Sequence, residues 1–350
     1  MADTMTPKER MAAIAENRPY DRIPHAFFLG ESAVRLTGAK VSEFHLDAKK
    51  QVDATLTAYR HYGLDSVSAF VMVQEILGSD VVYPDYSTPI IRKAMSLDDG
   101  KLQHLHLDDP KKHPKLQVFW RALEELIEKV GGEAPVAVAM EGPFSTLGRA
   151  VGTSPLLISL IKKDAEYVHN LLEKVLSVEL AIVNSLEGYG VVFGIFDPVA
   201  SGTLIRQEQY KTFVQPYQKR LFEAMTRVSG KKPQCHMCGN TNKILRDIID
   251  TGAGLISVDN MIDLAYAKKV IGKDAVLVGN VSPTDTMLLG TPQDVENDLR
   301  NCLKKGWDAP GGYLPSFGCA LPIDTPPRNI FALFEALRKY GKYPLNPELF

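Results

Sequence analysis

Long apolar runs are missing from this chain. No stretch of about 18 apolar residues occurs, the length a helix needs to cross a membrane, so no membrane span is expected. The N-terminal MADTMTPKERMAAIAENRPYDRIP is charged and has no apolar core, unlike a secretion signal. A cytoplasmic protein is the expectation. A surplus of one charge is missing too: 40 basic and 42 acidic side chains leave a formal net charge of −2. With no excess of cations to neutralise phosphates, nucleic acid is not an expected partner. Cysteine is scarce, with four in 350 residues: Cys235, Cys238, Cys302 and Cys319. A chain of this size buries most of its apolar surface without covalent staples. Clustered cysteines in a reducing compartment therefore point to metal or catalysis. Internal repeats and low-complexity tracts are also absent.

What recurs is a short apolar run, a turn, and then an amphipathic helical pattern. That alternation argues for parallel strands with helical crossovers. Eight runs read as strands: Ile23–Leu29, Ser66–Val71, Pro135–Met140, Val191–Phe196, Lys232–His236, Gly254–Val258, Ala275–Val278 and Gly312–Ser316. Apolar residues at helical spacing mark Phe119–Val130, Gln209–Val228, Thr241–Asp250 and Pro292–Lys305 as helices between them. Eight such units are the count of a closed α/β TIM-type barrel. Gly78–Lys115, with YPDYSTP and DDPKKHP, reads as a segment inserted between the second and third strands. One domain over residues 1–350 is expected.

In a barrel, catalytic groups come from the C-terminal ends of several strands. Here those ends carry Glu31, Glu141, Asp197, His236 with Cys238, Asp259, Asn280 and Cys319. His236 and Cys238 are two apart on an extended segment, so both side chains face the same way. Cys319 follows the last strand and reaches the same rim from across the mouth. Two thiolates and an imidazole suit zinc, and three protein ligands leave the open position of a catalytic site. The competing reading is a core histidine with two inert thiols. Asp197 is the strongest carboxylate for general-base work, with Glu141 beside it, although an Asp before Pro also serves as a helix cap. Phe28, Glu31, Met140, Asp259 and Asn280 are the candidates for substrate contact, with barrel core as the competing reading for Phe27, Phe28 and Met140. Cys235 points to the opposite strand face and reads as packing. Cys302 falls on a helical core stripe with Val295 and Leu299. His104 and His106 read as an exposed strand face.

Several motifs together resemble the uroporphyrinogen decarboxylase superfamily, from about Pro7 to Pro344. They are the opening PKERMAAIAENRPYDRIP, GPFS at Gly142–Ser145, QEQYKTFVQPYQKR at Gln207–Arg220, VGNVSP, LLGTPQDV and IDTPPRNI. The His-x-Cys with a distant Cys resembles the zinc-containing, corrinoid-dependent methyltransferase branch. That resemblance implies a distorted (β/α)8 barrel with Zn2+ on His236, Cys238 and Cys319. It implies methyl transfer between a small molecule and the cobalt of a corrinoid, methylcobalamin or cob(I)alamin. No DxHxxG cobalt-ligand motif is present, so the corrinoid is expected on a partner protein. Either direction is open: demethylation of a methyl ether, as in an O-demethylase, or transfer to a thiol such as coenzyme M or to tetrahydrofolate. HAFFLGESAVRLTG inclines the expectation to the donor side. That stretch has only Arg35 where the decarboxylase gathers arginines, which argues against a tetrapyrrole substrate. A zinc hydrolase using Asp197 and a closed structural zinc site are the remaining alternatives.

Overall fold

The computed structural model describes every residue except 1, 2, 17, 98 and 99. Its strands are β1 (Val67–Phe70), β2 (Asp80–Val82), β3 (Ile90–Lys93), β4 (Val136–Glu141), β5 (Val192–Phe196), β6 (Gln234–Met237), β7 (Leu255–Val258), β8 (Val276–Val278) and β9 (Tyr313–Leu314). Among the described residues, seven form one parallel sheet in the order β1-β4-β5-β6-β7-β8-β9. Both faces of a parallel sheet are covered, which is why these runs are rich in Val, Ile and Ala. Crossover helices form the outer layer; capping boxes open the helix Pro292–Gly306 between β8 and β9, with Thr291 and Asp294, and the N-terminal helix Pro7–Ala15, with Thr6 and Glu9.

The predicted first strand, Ile23–Leu29, makes no ladder. It lies extended in the gap between β9 and β1, and closes the wall by scattered bonds. Ala26 N donates to Pro315 O at 2.9 Å, and Ser316 Oγ donates back to Ala26 O at 2.8 Å. On the β1 side, His25 N donates to the Asp65 carboxylate at 2.8 Å and Phe28 packs on Phe70. Pro24 has no N–H to give, and the N–H of His25 goes to a side chain, so a regular ladder cannot propagate. The barrel is distorted at this seam.

Gly78–Lys115 is an elaboration after β1, as expected; its residues 98 and 99 lie outside the described set. It contains the antiparallel hairpin β2–β3 and is tied down by Met95 N to Ala150 O and by Trp120 Nε1 to Pro110 O, both 2.8 Å. The predicted helix Gln209–Val228 is two helices, Gln207–Phe213 and Gln215–Ser229. Pro216 opens the second, where its missing N–H costs nothing but blocks continuity with the turn before. Thr241–Asp250 is helical only over Leu245–Ile249. Among the described residues no single helix is long and apolar enough to cross a membrane.

Candidate metal centre at the barrel mouth

The register of the sheet fixes which side chains share a layer. Glu141 pairs with Phe196, Phe196 with His236, and His236 with Ser257. Residues paired across parallel strands point to the same face, so these four form one layer at the C-terminal end of the barrel. The rings of Phe28, Phe70 and Phe196 continue it, with Phe196 at 6.2 Å from the His236 imidazole.

His236 Nε2, Cys238 Sγ and Cys319 Sγ lie within 4.8 Å of one another. Nε2 and Cys238 Sγ are 3.4 Å apart, and the two sulfurs 3.3 Å. A tetrahedral zinc with bonds of about 2.3 Å to sulfur and 2.0 Å to nitrogen needs edges of roughly 3.5–3.8 Å. The nitrogen–sulfur edge to Cys238 matches closely and the sulfur–sulfur edge is about half an ångström short, so a small opening of the two thiols lets the donor set fit one zinc ion. His236 Nδ1 meets Ser257 Oγ at 3.0 Å, which fixes the ring and leaves Nε2 for a metal. The hydrogen bond from Cys238 holds the Cys319 thiol well below the ordinary thiol range, with the neighbouring His236 adding to it. That shared proton, and then burial, push Cys238 the other way.

The remaining expected residues divide into three groups. Asp197 is wholly enclosed, at 0% exposure. Its carboxylate accepts from Ser145 N at 2.9 Å and from Gln218 Nε2 at 2.6 Å. Burial pushes its pKa up to about 6. Gly142 makes room for it, because a Cβ there would sit 2.2 Å from Asp197 Oδ2. Glu141 and Glu31 are half-buried at the mouth. Gln74 and Arg149 donate to Glu141, and His45 Nε2 meets Glu31 at 3.1 Å. Phe28 is half-buried above the same layer, whereas Phe27 is core, packed on Phe317 and Phe334.

Met140 takes the barrel-core position that was its competing reading. Strand alternation puts it opposite Glu141, in register with Ile195 and through it Cys235, and it is 2% exposed. Cys235 and Cys302 are buried, as read from the sequence. His104 and His106 are exposed but follow a short helix instead of lying on a strand. Asp259 and Asn280 reach the rim, yet both are buried and engaged with backbone.

Sequence reasoning passed over Ser257, Arg149 and, above all, Glu179. Glu179 sits at 0% exposure on the longest helix, Ala165–Ser185. The Thr146 hydroxyl is close enough to favour the Glu179 carboxylate, but neither group makes a hydrogen bond of good geometry, and no cation faces that carboxylate. Burial drives its pKa far up, with the charges of Asp197 and Glu141 adding to it. The signal was available: Leu172, Val175, Ile182 and Val183 make an apolar stripe, and Glu179 stands on it.

Residues 6–340 match the uroporphyrinogen decarboxylase (URO-D) family. The chain is 30% identical over 346 residues to the methylcobamide:CoM methyltransferase MtbA of Methanosarcina mazei, covering 96% of this chain and 98% of that one. It is 26% identical to a methylated-thiol–coenzyme M methyltransferase of the same organism, covering 97% and 91%. A solved methyltransferase from Methanosarcina mazei superposes with a TM-score of 0.83 at 24% identity, covering 96% and 99%, and carries the fold. The chain belongs to the uroporphyrinogen decarboxylase family, in its corrinoid-dependent methyltransferase branch.

Proposed function

We propose that the chain transfers a methyl group between the cobalt of a corrinoid on a partner protein and a thiol bound at His236, Cys238 and Cys319. The observation that carries this reading is the convergence of those three donor atoms within 4.8 Å at the barrel mouth. Zinc in this site would give a coordinating thiol anionic character at neutral pH. Two thiolates and a neutral imidazole already balance the charge of a zinc ion. The two thiolates donate charge to the metal and make it a weaker Lewis acid than an all-nitrogen site, which suits holding a nucleophilic sulfur. This speaks for the acceptor side over the donor-side demethylation inferred from the N-terminal segment. The relatives named as coenzyme M methyltransferases support the same direction.

In this reading His236 presents Nε2 because Ser257 occupies Nδ1. Glu141 with Arg149, and Glu31 with His45, form the polar wall around the bound thiol. Phe28 and Phe196 cover the layer and exclude water. Asp197 acts as a positioning group, holding the Gly142–Ser145 turn against β5. Unpaired cysteines fit a cytoplasmic setting.

The test is zinc content combined with two absorption assays. About one zinc per chain, lost in Cys319→Ala, and loss of the methylcobalamin spectrum on adding a thiol are the expected results. Methylation of cob(I)alamin by a methyl ether, without reaction of the thiol, would reverse the direction. A zinc-free wild type that still transfers methyl would remove the metal from the reading.

A further inference from the structure

We infer that Asp259 and Asn280 are positioning residues that set the spacing of Cys238 and Cys319, not substrate contacts. This rests on the zinc reading above. Asp259 ends β7, and its Oδ2 accepts from Gly239 N at 2.7 Å, the residue directly after Cys238. Its Oδ1 accepts from Met261 N at 2.9 Å, and Ile262 N closes the turn onto Asp259 O at 2.9 Å. The loop Asp259–Ile262 is therefore a compact turn that grips the strap behind Cys238. Gly239 has φ +74°, a left-handed conformation that glycine tolerates, and this lets its N–H turn towards Asp259.

The same turn supports the other cysteine. Gly318, the residue directly before Cys319, lies against Asn260 so closely that a Cβ would be 2.4 Å from Asn260 N. Gly318 N also donates to Val281 O at 2.8 Å. Asn280, next to Val281, ties the two loops together. Its amide hydrogens go to Asp259 O at 3.0 Å and Ile262 O at 2.7 Å, and its oxygen receives the Cys302 thiol at 3.7 Å. With both amide hydrogens committed to backbone and at 8% exposure, Asn280 has no donor left to offer a substrate. Asp259, at 7%, has each oxygen engaged by a backbone N–H. Each cysteine thus hangs from one frame built by the loops after β7 and β8. Cys302, read from the sequence as packing alone, completes it from below.

The test compares Asp259→Asn, Asp259→Ala and Asn280→Ala with wild type by two rates. The first is zinc release to a chromogenic chelator. Groups that orient ligands typically change metal affinity 10- to 100-fold, so release should quicken by about that factor in the alanine variants. Asp259→Asn, whose amide oxygen can serve only one of the two N–H groups, should fall between. The second rate needs no metal. In metal-stripped protein, diamide takes two hydrogens from Cys238 and Cys319, whose sulfurs are 3.3 Å apart, and leaves a disulfide two hydrogens lighter by mass. Wild type should cross-link fast and the alanine variants about 10-fold more slowly, because the frame no longer holds the sulfurs together. Wild-type cross-linking rates in both alanine variants overturn the inference, whether or not they melt early and whether or not KM for the thiol rises. A wild type that binds no zinc defeats the zinc reading instead, and cross-linking still decides the frame.

Discussion

The two ends of this barrel handle buried charge in opposite ways. At the N-terminal end, Arg10 and Arg22 converge on Asp65, just before β1, at 2.5 and 2.7 Å. Asp21 and Asp3 take their remaining donors, and His25 donates its backbone N–H to the same Asp65. Burial holds the His25 ring neutral, down to about 4. Burial alone would raise the Asp65 carboxyl, but His25, Arg22 and Arg10 hold it below the usual carboxylate range. Every charge there has a partner, and the network replaces the missing ladder at the Ile23–Leu29 seam. The C-terminal end leaves chemistry unfinished: three donors around one point, and a fully buried Glu179 with no charged partner. A complete network serves stability, and an incomplete one marks where another group or a proton belongs.

The sharpest break in that comparison is functional. Cys319→Ala should fold like the wild type while methyl transfer falls by roughly a thousandfold, since a lost metal ligand removes more than a lost supporting bond. Activity and thermal melting on the same sample check it. Melting that collapses together with activity would mean that the mouth also holds the fold. Asp65→Ala should do the reverse. It takes one carboxylate from two buried guanidinium groups that keep only Asp21 and Asp3, which costs about 3 kcal/mol in urea unfolding. Activity per folded molecule should stay at the wild-type level. A loss of kcat without a loss of stability would show the two ends to be coupled.

The sequence was readable where one physical rule acted alone. Seven strands have both ends within two residues of their expected positions, because runs buried on both faces have few alternatives. His236 and Cys238 were legible because period two is unforgiving along a strand. The same rule decides between the two readings of Met140, since its position relative to Glu141 puts it on the other face. Ile23–Leu29 failed because the destination of a backbone N–H is a tertiary fact. Nothing local says that the His25 N–H goes to Asp65. The break near Val214 was visible in Pro216, and Glu179 was visible as an acid on an apolar stripe. Arg149 and Ser257 depended on register and could be found only once the sheet was assembled.

Glu179 offers a finer test of the unfinished end. A carboxyl whose folded pKa is raised binds a proton that the unfolded chain has already released, so it costs stability as pH rises above its unfolded value. For Asp197 the window runs from the ordinary 3.8 up to about 6. For Glu179 it opens at the ordinary 4.5 and extends further up. Wild-type unfolding free energy should therefore keep falling from pH 6 to pH 8. Glu179→Gln should flatten that upper part and recover about 1–3 kcal/mol at pH 8, the scale of an unpaired buried polar group. A shallower slope below pH 6 should remain in the variant, because Asp197 supplies its own share there. A wild-type curve already flat from pH 6 to pH 8 would show that Glu179 has a partner in solution.

The smallest expected effect concerns Glu31, at the edge of the same end. Burial pushes its carboxyl up, but the hydrogen bond and charge of His45 outweigh that and hold it below its usual range. Its sign is opposite to that of Glu179: the stabilisation is present above pH 4.5 and lost as pH falls. The side chain is 22% exposed, so solvent screens the pair and Glu31→Gln should cost under about 1 kcal/mol. If Glu31 belongs to the wall around the thiol, KM for the thiol should still rise about 2- to 5-fold with kcat unchanged, because a uniform binding contact has been removed. A drop in kcat at constant KM would move Glu31 from the binding wall to the reacting atoms. The unfinished end would then extend across the mouth to the segment that closes the barrel.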